Sequence, residues 1–244
     1  MTELRVPTLQ HLARNWRPDP VFIARELVRL AKNPPRFNYA PLHLAVRDLL
    51  VLGVPYEQVF AGIQKIKREW VRQNITEVLP LIYEHFQDVR PDFCQNIERR
   101  FYPVGRGLMV PFDPPMLYGV GGQMFFPWFS FWRSNPIARE QLSLFVTLID
   151  EVLLQDPDLE SARFQILDFS AVGSKEHRQR RLQVTDARDI QRIDGARKAE
   201  MLEVFAEGYF QAVEMLKGWK PSKGDQPTKG PQDRPPQFPG FPDL

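Results

Sequence analysis

The stretch G-G-Q-M-F-F-P-W-F-S-F-W-R-S-N-P runs from Gly121 to Pro136. Six of the eight residues from Phe125 to Trp132 are aromatic, and no charge falls between Pro114 and Trp132. An uncharged run of nineteen residues approaches the ~20 that a helix needs to span a bilayer. Pro114, Pro115 and Pro127, with Gly119, Gly121 and Gly122, argue against that reading. They would interrupt a spanning helix at several points and leave backbone groups unpaired in lipid. Gly121-Gly122 instead suggests a turn between two strands, Met116–Val120 and Gln123–Arg133. Aromatics occupy both alternating sets of the second strand: Phe125, Phe129 and Phe131 against Phe126, Trp128 and Trp132. A strand apolar on both faces is a central strand covered on both sides. The stretch is therefore expected to be a buried centre, with Trp128 and Trp132 mostly buried beneath the middle or last helix.

The totals are compatible with that picture. A chain of 244 residues is long enough for one substantial domain with a helical extension. Hydrophobic content of 43% and charged content of 25% describe an ordinary globular protein. The net charge of +2 implies no polyanionic partner by itself, so any basic patch must be argued locally. The single cysteine, Cys94, excludes an internal disulfide and a multi-cysteine zinc site, and is expected to be a buried or incidental thiol. His11, His43, His85 and His177 show no ligand spacing, so no metal and no cofactor is expected. Neither a phosphate-binding glycine loop nor a Gly-x-Ser-x-Gly elbow occurs. The N-terminal M-T-E-L-R-V-P-T-L-Q-H-L lacks the apolar core of a secretory signal. A cytoplasmic protein without membrane association is expected.

Outward from the aromatic strand, residues 1–100 form a predicted helical region. Its helices are expected at Val21–Ala31, at Pro41–Leu52 closed by Gly53, at Tyr56–Arg72 with Trp70 on the apolar stripe, and at Ile75–Phe86 capped by Asn74. Residues 101–218 make a predicted α/β (or α+β) core. Its strands are Leu108–Phe112, Met116–Val120, Gln123–Arg133, Arg163–Ala171 and Arg181–Thr185. The cap-and-proline pair Asn135-Pro136 should start a middle helix that runs to Gln155, and a last helix should cover Gly195–Leu216. A crossover through the middle helix would lay Arg163–Ala171 beside the earlier strands in a mixed sheet flanked by helices. Residues 219–244 are expected to be a disordered tail, with seven prolines between Pro221 and Leu244.

Four features bear on chemistry. Gln141 falls on the buried stripe of the middle helix, four residues from Ile137 and from Phe145, and must find hydrogen-bond partners there. Asp113, in V-P-F-D-P-P, is either a turn residue or an acid held at the end of a strand. Asp168, in F-Q-I-L-D-F-S-A, is a carboxylate within an apolar strand, either at a site or hydrogen-bonded to the following loop. Basic residues gather twice. Lys175, Arg178, Arg180, Arg181, Arg188 and Arg192 face only Glu176, Asp186 and Asp189, and a second group is Lys65, Lys67, Arg68 and Arg72. Alternation turns Leu182 and Val184 inward and leaves Arg178, Arg180 and Arg181 outside, where they suit phosphates or an acidic protein.

Three strands, then a helix carrying Gln141-Leu-Ser-Leu-Phe145, then another strand resembles the RecB-type branch of the PD-(D/E)xK nucleases over residues 108–216. In that family an acid ends the second strand, an acid-x-Lys follows in the third, and a Gln-x-x-x-Tyr helix comes next. The resemblance implies Asp113 as the first acid and Gln141 as the helix residue. Phe145 stands where Tyr is usual, and the third strand, F-F-P-W-F-S-F-W-R, offers Ser130 and Arg133 but no acid. Phosphodiester hydrolysis with Mg²⁺ needs clustered carboxylates. The expected function is therefore that of a non-catalytic accessory subunit with a degenerate nuclease-like fold, binding a protein partner, nucleic acid, or both. One alternative is an active Mg²⁺-dependent nuclease with migrated acids, using Asp113, Asp168 and Glu140. Another is a structural assembly protein with no nucleic-acid role.

Overall fold

The computed structural model describes residues 4–34, 39–134, 136–153, 156–174 and 177–219, so Asn135, Lys175 and the proline-rich tail lie outside the described residues. The chain runs through α1 (Leu9–Asn15), α2 (Pro20–Lys32), α3 (Ala40–Val46), α4 (Tyr56–Gln64), α5 (Glu69–Thr76) and α6 (Leu79–Phe86). There follow β1 (Phe93–Gln95), β2 (Arg100–Gly105), β3 (Leu108–Phe112), β4 (Leu117–Val120) and β5 (Gln123–Ser130). Next come α7 (Arg139–Leu153), β6 (Arg163–Asp168), β7 (Ala171–Val172), β8 (Gln179–Arg180), β9 (Gln183–Asp186) and α8 (Gly195–Leu216). This is an α/β fold around a five-stranded mixed sheet of order β1-β4-β5-β6-β9.

Gly121 and Gly122 join β4 to β5 with φ of 56° and 79°, so that Val120 faces Gln123. Positive φ at both central residues is what a tight hairpin turn of this type requires, and glycine supplies it without strain. Beyond the last β4–β5 pair, Tyr118 with Phe125, comes Pro127. A proline is tolerated in a central strand at a point where one neighbour has ended. On the other side β5 pairs in parallel with β6, from Phe125 with Arg163 to Ser130 with Asp168, and β9 closes that edge antiparallel.

The two faces of β5 enter two separate cores, as the alternation demands. Phe126 and Trp128 pack with α1, α2, α7, α8 and the β2–β3 ribbon. Phe129 and Phe131 pack with residues of α3, α4, α5 and α6. The helices of the first hundred residues are thus divided between the two sides of the sheet. Close contact of α2 with α8 depends on Gly208, where a Cβ would come within 2.8 Å of the Pro20 carbonyl oxygen and within 2.7 Å of the Ile23 side chain.

Several boundaries differ from expectation. The helix predicted over Tyr56–Arg72 is broken between Gln64 and Glu69. On one continuous helix Ile63 and Val71 would lie roughly 80° apart around the axis, whereas the break lets both turn into the same core. Trp70 is left outward as a result and is 49% exposed. Asn74 caps nothing: it lies inside α5, and α6 starts at Leu79. The middle helix begins at Arg139 rather than Pro136, after Ile137 has entered the core. The last short strand is Gln183–Asp186, and Val184, expected inside, is 43% exposed. Strand β3 pairs with β2 in its own ribbon and not beside β4, because Pro114 and Pro115 cannot donate to a continuing ladder. Trp132 is only partly buried, and it is covered from α1: its ring lies 4.1 Å from the Arg14 guanidinium and 5.4 Å from His11.

Two stability outcomes follow from this packing. Trp128 is buried with its ring 4.7 Å from Phe145, so Trp128→Ala should lower the unfolding free energy by about 3–5 kcal/mol. Trp132→Ala should cost less, and denaturant titration of both variants checks the order. His43 packs edge-on against Phe129 and Phe131, and its Nδ1 is buried without a hydrogen-bond partner among the described residues. Burial pushes its pKa down to about 4. The unfolded histidine takes up a proton near pH 6.5 while the folded one does not, so stability is full above about 6.5 and falls as pH drops toward 4. The loss should reach about 2–3 kcal/mol. His43→Leu should flatten that part of the profile, read from denaturation midpoints across the range.

Candidate functional site

The parallel pair β5–β6 ends with Ser130 beside Asp168, and sheet ends of this kind are where α/β folds place ligands. The Asp168 carboxylate there is already engaged, while the Ser130 hydroxyl is buried with no hydrogen-bond partner among the described residues. One Asp168 oxygen accepts from the Ser170 amide at 3.1 Å and the other from the Ser170 hydroxyl at 2.9 Å, which fixes the turn after β6. Asp113 is buried just after β3, and Arg99 holds both of its oxygens, Nε to Oδ1 at 2.6 Å and Nη2 to Oδ2 at 2.9 Å. Gln141 donates from Nε2 to the carbonyls of Trp16, at 3.0 Å, and Arg14, at 3.3 Å. It satisfies acceptors left over at the end of α1, so its place on the stripe is explained by joining α7 to α1. Glu140 is exposed and paired with Arg197, whose hydrogen bonds hold its carboxyl below the ordinary range. Among the described residues no three His, Cys, Asp or Glu side chains form a metal-binding group. The Cys94 thiol is buried, and burial pushes its pKa up to about 11.

Arg180 requires a correction. Expected outside on a phosphate-tracking surface, it is buried between the sheet and α5. Its Nη1 donates to the carbonyls of Phe131, at 3.0 Å, and Phe169, at 2.8 Å, and its Nη2 to Asn74 Oδ1. Those carbonyls lie just past the ends of β5 and β6, and a buried acceptor must be paired. Desolvation lowers the pKa of the guanidinium, with Tyr39 opposing that shift. Arg192 is likewise occupied, with Asp150 and the carbonyls of Ala187 and Ile190. Arg178, Arg181 and Arg188 remain exposed.

The second basic group gains what the first loses. Lys65, Lys67 and Arg68 are exposed in the break between α4 and α5, and Arg72 donates to the Ile66 carbonyl at 2.9 Å. Gln64 reaches Thr76 across the gap, and an open groove of about 430 Å³ is lined by Gln64, Arg72, Gln73, Thr76 and Glu77. At the far end of α5, Arg133 from the segment after β5 pairs with Glu77, while Arg180 holds Asn74. The break thus leaves Lys65, Lys67 and Arg68 exposed, with Trp70 exposed in the first turn of α5 and Arg133 paired at its far end. The exposure of Trp70 and the Arg133–Glu77 pair were not anticipated from the sequence. A signal was present, since Trp70 lies out of phase with the buried pair Val71 and Ile75.

Removing the Arg180 guanidinium should cost about 1–3 kcal/mol for each buried carbonyl left unpaired. Arg178→Ser and Arg181→Ser should change stability by no more than about 0.5 kcal/mol. Equilibrium unfolding of Arg180→Met against these two variants measures the contrast. No family model matches the chain, and comparisons with curated proteins and with solved structures return no match.

Proposed function

We propose that the chain is a non-catalytic binding subunit, built on a degenerate nuclease-like arrangement, that works within a larger complex. The observation carrying this reading is the state of the two strand-end acids that an active nuclease would have to use. Asp113 is held at both oxygens by Arg99, and Asp168 gives both of its oxygens to Ser170. A carboxylate that organises Mg²⁺ and water at phosphorus needs an oxygen turned toward a second carboxylate. Beside Asp168 stands Ser130, not an acid. Binding is supported instead by the basic surface around α5, and by the outer face of the β2–β3 ribbon. There Phe101 and Met109, 52% and 45% exposed, flank the pairs Phe101 with Pro111 and Pro103 with Met109. Apolar side chains grouped on one exposed face suit a protein partner.

The test is incubation of the full chain with DNA and RNA in the presence of Mg²⁺ or Mn²⁺. No cleavage is expected, and the native protein should be recovered with a stoichiometric partner. Metal-dependent cleavage that disappears in Asp113→Ala would replace this reading with that of a nuclease.

A further inference from the structure

We propose that the outer face of the β2–β3 ribbon is covered by residues 235–242 of the same chain, P-P-Q-F-P-G-F-P. The inference goes beyond the binding-subunit reading: a protein partner that uses this face would have to displace the chain's own segment. The register sets Phe101 beside Pro111 and Pro103 beside Met109, so four apolar side chains form one outward patch. Tyr102 and Val110, which alternate with them, turn the other way and are buried. At the ends of the ribbon Arg99 is held by Asp113 and Arg106 by Glu203, so nothing there favours a charged ligand. Pro103 and Pro111 have no N–H to offer, which makes the ribbon's edges poor templates for an added strand. Four side chains also fall well short of the roughly 20–30 residues a side in a standard interface between folded proteins. The patch suits a short apolar segment.

The chain supplies one. From Lys220 to Gln237 no aromatic or aliphatic residue occurs apart from prolines, and then Phe238 and Phe241 follow within four positions. Prolines recur every third residue at Pro236, Pro239 and Pro242. Three residues make one turn of a polyproline II helix, whose rise would put Phe238 and Phe241 on one edge, about 9 Å apart. The ribbon patch measures roughly 7 Å along the strands and roughly 5 Å across them, a diagonal of about 8 Å. One phenylalanine ring can therefore meet Phe101 while the other meets Met109. Proline-rich segments dock on apolar, aromatic surfaces of this kind at little cost in conformational entropy. The distance is also within reach. Glu203 of α8 pairs with Arg106 in the ribbon's turn, and from there to Leu216 at the end of α8 is about 20 Å. The intervening residues 220–237 can span about 56 Å at the polyproline rise. A tether of that length raises the local concentration of the segment toward the millimolar range, so a weak contact is populated.

The experiment attaches a nitroxide at Asp243→Cys in the full chain and observes isotope-labelled methionine methyl groups by NMR. Cys94 is buried and stays unlabelled. The Met109 methyl should lose most of its signal, while Met116, buried in the core on the opposite side of the sheet, keeps its own. Phe238→Ser combined with Phe241→Ser should restore the Met109 signal. Phe101→Ser, at a side chain exposed outside the core, should restore it as well. The loss should be the same on dilution, as a contact within one chain requires. A Met109 signal untouched by the label overturns the inference, as does broadening that survives the paired serine variant. Broadening that fades on dilution also overturns it, and places the segment of a second copy on the face. The binding-subunit reading is decided separately, by the cleavage assay and by recovery of a partner with the native protein, so either inference can fail without the other.

Discussion

The burial of both faces of β5 is the constraint on which the rest of the structure depends. A strand with Phe126 and Trp128 on one side and Phe129 and Phe131 on the other cannot tolerate solvent on either. The sheet must therefore be the middle of three layers, and the chain has to supply cover twice. Helices α1, α2, α7 and α8, with the β2–β3 ribbon, make one cover, and α3 to α6 make the other. Chain order follows from that need rather than from domain boundaries. The first two helices cross to pack with the last, and Gly208 lets α8 approach α2 closely enough to seal that side.

Covering a sheet end creates a polar problem as well as solving an apolar one. Where β5 and β6 stop, the carbonyls of Phe131 and Phe169 belong to buried residues. Arg180 supplies the donors for both and reaches on to Asn74 of α5, so one side chain fastens the second helical layer to the sheet. Gln141 does the corresponding work on the opposite side, where α1 ends against α7. In the sequence Gln141 looked like buried site chemistry and Arg180 like an exposed phosphate contact, because composition does not show what a polar side chain meets. What decides the role is the identity of the partner, and here the partners are main-chain carbonyls.

That distinction marks the limit of what the sequence discloses. The β4–β5 hairpin was legible because Gly121-Gly122 and the alternating aromatics are local signals, and so was the buried Cys94. Arg180 was not. Its neighbours Arg178 and Arg181 are exposed, and nothing near it in the chain announces two unpaired carbonyls 49 and 11 residues away. The single helix expected over Tyr56–Arg72 failed for a related reason. Its apolar residues fit one stripe tolerably well, and only the position of the sheet decides that Ile63 and Val71 must face it together. Asp113 shows the same limit from the other direction, since its partner Arg99 lies 14 residues before it on the approach to another strand.

The break between α4 and α5 links the core to the surface. Bending the chain there satisfies Ile63, Val71 and Ile75, and it also rotates Trp70 out of the stripe to which its spacing would assign it. Phe60 and Ile66, from the same run, pack against the second core. The lysines on either side of Ile66 also project from the bend, where a helix would have spread them around its circumference. A single kink imposed by the sheet thus converts a run that alternates basic and apolar residues into a surface with cations and an indole on the outside. The side chains left at the surface are those that the central strand does not require.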